Sequence, residues 1–345
     1  LAALGTRIPR QDWRTYTYIA QTFYTLRNYD AAVAYEREAL NLSIDELADP
    51  TFIYFSHTWL GIILAAMKDY DGAIKEVGAG LEVARSLKTN SASRKIAYSQ
   101  LELGHVTRQS GDCDAALRHY DEAVRMFDIM QIGKLDGYDV HKGRLLCYLK
   151  GSDDAVTEEE LTRVLALFEQ NRAEISEEQN RNSFFDAEQD IYDIAINYAY
   201  ARGDKQRAFE YSEQSRARSL LDLLTHGTGT ANTDLDVTIK ANASPLDLSS
   251  LKSQLPAGAQ VVQYTVLSDR LLIWFISPAR FEVFERSIPA AQLNASVRAY
   301  TELLTRNDES QAAELNRQAE ALYELLVARV APLLDNNTEV CIVPD

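Results

Sequence analysis

"NYDAAVAYEREAL", residues Asn28–Leu40, decides how the first two thirds of this chain are read. An amide-bearing residue opens the stretch. Ala32 stands at its fifth position, and Ala39 follows seven residues later. Three later stretches share the design: "DYDGAIKEVGAGL" (Asp69–Leu81), "DCDAALRHYDEAV" (Asp112–Val124) and "DKQRAFEYSEQSR" (Asp204–Arg216). Their small residues are Ala73 with Gly80, Ala116 with Ala123, and Ala208 with Ser215. A second apolar helical pattern precedes the first three. In it Ile19-Ala20, Leu60-Gly61 and Leu103-Gly104 stand thirteen and twelve residues ahead of the key alanine. Paired antiparallel helices account for this pattern. Only Gly, Ala or Ser at the contact lets two backbones approach closely, while Tyr, Leu and Phe fill the gaps between neighbouring pairs.

The pattern resembles tetratricopeptide repeats. The key alanines stand 41 and 43 residues apart, more than the roughly 34 residues of the standard repeat, so the helices are expected to be about a turn longer. The 92 residues between Ala116 and Ala208 leave room for one degenerate repeat, placed at 136–170. Thr157 with Glu160 reads as a capping box opening its second helix, and Ser176 with Gln179 as one opening the first helix of the last repeat. The resemblance implies a right-handed superhelix whose concave face is lined by the first helix of each pair. Its implied peptide-binding groove residues are Thr17, Gln21 and Tyr24, then Thr58 and Ile62, then Leu101, His105 and Arg108. The implied partner is a protein or peptide. Chaperone-binding members clamp a terminal carboxylate with Lys and Asn. Thr17 and Gln21 do not fit that pattern, so no such clamp is expected. Trp13, Trp59 and Tyr98 are read as core between repeats.

Composition narrows the function classes. The chain has 345 residues, 46% hydrophobic and 25% charged, with a formal net charge of −16. That charge opposes nucleic acid or an anionic membrane surface as the main partner. The three cysteines, Cys113, Cys147 and Cys341, are sparse and widely spaced. They are no disulfide framework, so a reducing cytoplasm is expected. The apolar runs, such as Leu271–Ile276, fall far short of the ~20 residues of a membrane helix. The chain starts at Leu1 without the features of a signal peptide, and reads as cut from something longer at both ends. No His/Cys/Asp grouping has zinc spacing, so no metal or cofactor is expected. "GTGT" after Gly227 lacks the preceding strand and the Gly-Lys-Ser/Thr of a phosphate loop. The acidic runs Asp153-Asp154, Glu158–Glu160 and Glu177-Glu178 suit helix starts and solvated faces. His105 and Arg108, one helical turn apart, are the best polar pair.

The stretch "AFEYSEQSRARSLLDLL", Ala208–Leu224, continues past the normal end of a repeat. Gly227–Pro245 reads as a linker. Then come a short helix, three strands near Val261–Leu267, Leu271–Ser277 and Phe281–Ser287 in an antiparallel meander, two helices near 290–304 and 310–334, and a buried strand Val340–Val343. Ser215, Ala217, Arg218, Leu221 and Leu224 match an "S-x-A-R-x-L-x-x-L" sequence. It is similar to the junction of bacterial proteins in which tetratricopeptide repeats precede a caspase-like (CHAT) peptidase domain. Leu255–Gly258, Gln263-Tyr264 and Val343–Asp345 stand where that family carries its Leu-Pro-Ala-Gly entry, first strand and Val-Pro-Asp ending. Gln263 replaces the more usual acidic residue.

The expected fold is therefore mostly α. A tetratricopeptide-repeat α-solenoid of about five long repeats (1–225) and a linker (226–245) lead to the N-terminal part of a caspase-like α/β domain (246–345). In the family the catalytic His and Cys follow later strands, and none of the five histidines lies after the linker. The resemblance implies that this chain holds no catalytic residue and that its parent is a cysteine endopeptidase. Cys341, without a histidine in its domain, reads as a core residue. Three functions compete: a regulatory scaffold of such a peptidase, a stand-alone adaptor binding a peptide or helix in its groove, and a remnant domain with only a structural role.

Overall fold

A computed structural model of the chain describes residues 8–89, 91–130, 134–151, 153–174, 188, 190–226, 247–306, 309–335 and 338–345. Within the helices, the side chains of residues 134–136, 173–174 and 217–226 lie outside the described set, as do the linker Gly227–Pro245 and the expected Ser176–Gln179 helix start. The described residues fall into two compact units, one within Leu1–Phe184 and one within Phe185–Asp345.

The first unit is built of helical hairpins. These are α1 (Pro9–Thr25) with α2 (Tyr29–Leu42), α3 (Pro50–Ala66) with α4 (Tyr70–Ser86), α5 (Ala92–Ser110) with α6 (Cys113–Met130), and α7 (Lys134–Tyr148) with α8 (Asp154–Glu174). Two more helices of the same design, α9 (Asp190–Ala201) and α10 (Lys205–His226), belong to the second unit. The hairpins turn by a common device. In four of the five hairpins the first helix ends on a left-handed residue: Arg27, Lys68, Gly111 or Gly203, with φ of 58°, 66°, 100° and 79°. The next residue returns its N–H to the first helix, as from Asn28 to the Phe23 carbonyl at 2.8 Å and from Asp112 to that of Thr107 at 3.0 Å. Its side chain then caps the second helix. Asn28, Asp69, Asp112, Asp153 and Asp204 accept the backbone N–H three residues ahead, at 3.3, 3.0, 2.8, 3.2 and 3.0 Å. Each cap satisfies a helix-end donor that would otherwise lack a partner.

Four residues beyond each cap stands the small contact residue. Ala32, Ala73, Ala116 and Ala208 are all fully buried. The first helix answers with its own small residue. A Cβ on Gly61 would lie 2.4 Å from Val77 Cγ2 and 3.2 Å from the Ala73 carbonyl. In the fourth hairpin the Asp153 cap puts Thr157 at the small position, 2% exposed, with its hydroxyl donating to the Asp153 carbonyl at 2.7 Å. The expected Thr157–Glu160 capping box is therefore not formed. Asp153 starts the helix one turn earlier, and this turns Glu160 inward onto His141 at 2.7 Å. The same crossing recurs in the two preceding hairpins. His57 meets Glu76, and Gln100 meets His119, each 19 residues on and at 2.7 Å.

In the second unit, α11 (Leu248–Gln254) leads into β1 (Gln260–Val266), β2 (Leu271–Ile276) and β3 (Phe281–Arg286). Helices α12 (Ala290–Arg306) and α13 (Ala312–Leu326) follow, then β4 (Val340–Val343). The sheet order is β3-β2-β1-β4. The expected meander is present: β2 pairs antiparallel with both β1 and β3, while β4 runs parallel to β1. Every residue of β2 is buried, as a continuous apolar strand requires when both faces are covered. Leu271, Ile273 and Phe275 pack with Ile288, Leu293 and Val330 on the face that also meets Leu325 and Leu326 of α13. Trp274, on the other face, stacks on Phe281 at 6.0 Å and meets Phe209 of α10 edge-on at 5.7 Å. Its indole N–H donates to Thr265 Oγ1 at 3.0 Å. Thr265 and Ser212 of α10 share a hydroxyl hydrogen bond of 2.7 Å, and Gln263 donates to Glu213 at 2.7 Å.

The junction helix is thus a layer of the sheet unit. The repeat pattern draws a boundary at 225, whereas packing groups α9 and α10 with the sheet. Arg216 reinforces this grouping by donating to the carbonyls of Tyr264 on β1 and Pro344 beyond β4. The expectation of a buried final strand with Cys341 in the core is corrected. β4 lies at the sheet edge, where Cys341 is exposed and Ile342 is 56% exposed. Strand side chains stand above and below the sheet, and their exposure on β4 shows that the layers covering β2 do not extend over it. Among the described residues no helix is long and apolar enough to cross a membrane.

Candidate functional site

The first helices of neighbouring hairpins lie side by side, and residues on their common face recur at a fixed offset from the buried small residue. Those 18, 14 and 11 positions ahead are Arg14, Tyr18 and Gln21 on α1, Phe55, Trp59 and Ile62 on α3, and Tyr98, Glu102 and His105 on α5. Steps of four and three keep such residues on one helical face. All of them except His105 border two adjoining concavities. The larger, about 360 Å³, lies between α3 and α5, with Tyr54, Phe55, Trp59, Ile62 and Tyr98 as its walls. The smaller, about 180 Å³, lies between α1 and α3 and is bordered by Arg14, Thr17, Tyr18 and Gln21. Phe55 and Trp59 border both, so the two form one groove. Tyr18 is 65% exposed and Phe55 40%.

Charged groups stand around these rings. The Arg94 guanidinium lies 5.6 Å over Tyr98, and the Lys95 ammonium 5.7 and 5.5 Å from the Tyr54 and Phe55 rings. Lys95 also donates to Ser91 at 3.0 Å. Glu102 closes the other side of the larger concavity. Burial, with Asp139 as a second cause, pushes its carboxyl up to about 7.

The residues singled out from the sequence are placed as follows. Thr17 and Gln21 border the smaller concavity, Thr58 and Ile62 the larger. Thr17 is nearly buried, and Thr58 spends its hydroxyl on the Tyr54 carbonyl at 2.9 Å. Tyr24 packs against Trp59 at 6.3 Å and Tyr29 at 5.8 Å. Leu101 is 4% exposed and belongs to the core with Ala116 and Tyr120. His105 Nδ1 lies 2.9 Å from the Tyr120 hydroxyl, and Arg108 Nε donates to the same oxygen at 3.3 Å. Burial, then the neighbouring Arg108, lowers His105 to about 4. A neutral ring accepting from Tyr120 fits that arrangement, and the pair anchors α6 to α5. Phe55, Arg94, Lys95 and Glu102 line the groove without any mark in the repeat pattern, and Trp59 and Tyr98, which that pattern places in the core, line it as well. Aligning the first helices on the small residue of the second would have found the aromatic face.

A buried polar group lies beneath the groove. Glu36 of α2 is fully buried, and neither carboxylate oxygen has a hydrogen bond of full geometry. Burial raises its carboxyl to about 7, although the nearby Ser56 and Thr17 hydroxyls partly offset this. Trp13 Nε1 donates to Ser56 at 2.9 Å from the same cluster.

No protein-family model matches the sequence, and no curated protein matches it. Among solved structures, BtubC from P. vanneervenii is similar with a TM-score of 0.51 at 16% sequence identity, over 65% of this chain and 85% of BtubC. That likeness is one of fold. Two weaker ones accompany it. The TPR-like repeats of a putative kinesin light chain from Podosopora anserina score 0.45 at 15% identity, over 66% of this chain and 100% of that one. The Rap conjugation gene regulator of the plasmid pLS20, in complex with the Phr* peptide, scores 0.44 at 14% identity, over 73% and 71%.

Proposed function

We propose that the chain is an interaction scaffold whose repeat unit receives a peptide segment of a partner protein along the groove of α1, α3 and α5. The observation that carries this reading is the run of rings on the groove surface, Tyr18, Phe55, Trp59 and Tyr98, with Tyr18 and Phe55 well exposed. A continuous apolar patch rimmed by polar groups is a feature of binding surfaces. Peptides dock in such grooves through a few apolar anchors. Random-peptide display against the full 345-residue chain would supply ligands, and fluorescence anisotropy would measure them. Ile62→Glu places a charge on the apolar wall and should weaken binding at least about tenfold, with the circular-dichroism melt retained. Selected peptides that bind wild type and variant equally would remove the groove as the site.

The finer reading places this scaffold within a bacterial cysteine endopeptidase, with the second unit as the opening part of a caspase-like domain. The feature that favours it is β4 running parallel to β1 after a two-helix crossover. Parallel α/β sheets grow by such crossovers. On this reading the catalytic His and Cys stand beyond Asp345, and the repeats regulate them. The stand-alone adaptor is the competing form of the same scaffold. The intact mass of the protein from its native source, beside that of the 345-residue chain, separates the two. Iodoacetamide-sensitive proteolysis by the purified chain would count against a dyad lying outside it.

A further inference from the structure

Glu102 is the one anionic side chain bordering the larger concavity, and among the described residues it has neither a hydrogen-bond nor an ion-pair partner. The groups close enough to act on it or feel its charge are Tyr24, Tyr54, Tyr120 and the Asp139 carboxylate of α7. A largely buried carboxylate is costly until a donor or cation reaches it. Seven and eight residues earlier on α5, Lys95 and Arg94 border the same concavity. Two turns of helix put them about 10 Å from Glu102 along the axis. Trp59, Ile62 and Tyr98 supply apolar wall in the same space. The concavity thus has a cationic end, an apolar middle and an end with a carboxyl group that a ligand's cation would hold ionised. A ligand carrying only negative charge meets Glu102 in a chain of net charge −16. One carrying only positive charge meets Arg94 and Lys95.

Taking the groove as the binding site, we propose that it selects a dipolar peptide segment. An apolar side chain enters between α3 and α5, a basic group on one side of it reaches Glu102, and a carboxylate on the other side reaches Lys95 and Arg94. In a peptide of polyproline-II conformation, residues three apart lie on the same side and span about 9 Å, close to the required length. The surrounding rings support the ligand's cation as well as the protein's own.

The test uses three unlabelled peptides titrated calorimetrically into the full chain: Gly-Lys-Leu-Phe-Glu-Gly, acetylated and amidated, and its Lys/Lys and Glu/Glu counterparts. The dipolar peptide should bind about tenfold tighter than either like-charged one. Glu102→Gln should shrink its advantage over the Glu/Glu peptide to about twofold. Arg94→Gln with Lys95→Gln should do the same against the Lys/Lys peptide. Equal binding of all three, or tightest binding by a like-charged peptide, overturns the proposal. If Ile62→Glu weakens all three in that case, the groove remains the site and only its charge selection is wrong. If none of the three binds, or Ile62→Glu changes nothing, the groove reading falls and the proposal with it.

Discussion

Tyr120 in the repeat unit and Trp274 in the sheet unit are both fully buried, yet they are held in different ways. Tyr120 reaches from α6 into space left by Gly104 on α5 and Gly143 on α7, where added Cβ atoms would lie 2.6 and 2.4 Å from its ring carbons. Its hydroxyl meets His105 and Arg108. All these neighbours lie within about one repeat along the chain, so local spacing suffices to bring them together. Trp274 depends on Phe209, 65 residues earlier, and on its sheet partners Thr265 and Phe281. No local pattern prescribes that meeting. It requires α10, β1, β2 and β3 to assemble together, a non-local demand that costs more chain entropy before contacts repay it.

The comparison can be broken first at Trp274. Trp274→Ala should cost about 3–5 kcal/mol, with hydrogen-exchange protection lost first across β1 to β3. A loss below about 1 kcal/mol would mean that the sheet does not depend on this non-local cluster.

The next largest effect lies in the repeat unit and depends on pH. The folded-state pKa of Glu36 is raised from the ordinary 4.5 to about 7, so between those values the folded chain holds a proton that the unfolded chain has released. Stability therefore falls as pH rises through that window and levels off above it. Glu36→Gln should remove this part of the slope, a difference on the order of 3 kcal/mol between pH 4.5 and 7.5. It is read as the change in denaturation midpoint relative to wild type. An identical pH profile for the two chains would show that Glu36 is solvated or paired in the fold.

Helix caps sharpen the comparison, because the same device occurs in both units. Asp112→Ala and Asp204→Ala should each cost about 1 kcal/mol, with exchange quickened in the first turn of α6 or α10. Equal losses would show that capping is local whatever surrounds it. A much larger loss at Asp204 would mean that the sheet depends on that turn.

The smallest effect has the opposite sign. Lys68 holds φ 66° where the third and fifth hairpins have glycine. Lys68→Gly should stabilise the chain by about 0.5–1 kcal/mol in thermal melts, since a side chain disfavours left-handed backbone. A destabilised Lys68→Gly chain would show that the lysine side chain does more there than tolerate the turn.

Legibility followed the same division. The caps at Asn28, Asp69, Asp112 and Asp204 and the alanines four residues later were readable, because a cap and a close helix contact each demand particular residue types at a particular spacing. The fourth repeat was readable as an interval, though Thr157 hid its anchor by standing where the others have alanine. The groove face was harder. Leu101 and Tyr98 lie three residues apart on one helix, and both are the kind of residue that fills a core. Leu101 is packed beneath α6, while Tyr98 borders the open concavity. The choice depends on how far each first helix is rotated, which its neighbours on both sides decide.

By itself, the sequence determined the hairpins, the antiparallel meander and the chain's acidic net charge. These follow from short-range chemistry: caps, small contact residues, apolar period and net charge. Only the tertiary structure decided that α9 and α10 pack with the sheet, that Cys341 lies exposed on an edge strand, and that Glu36 is buried while Glu102 borders a groove. Burial is a property of what arrives from elsewhere in the chain. A carboxylate four residues from a buried alanine carries no mark that another helix will cover it.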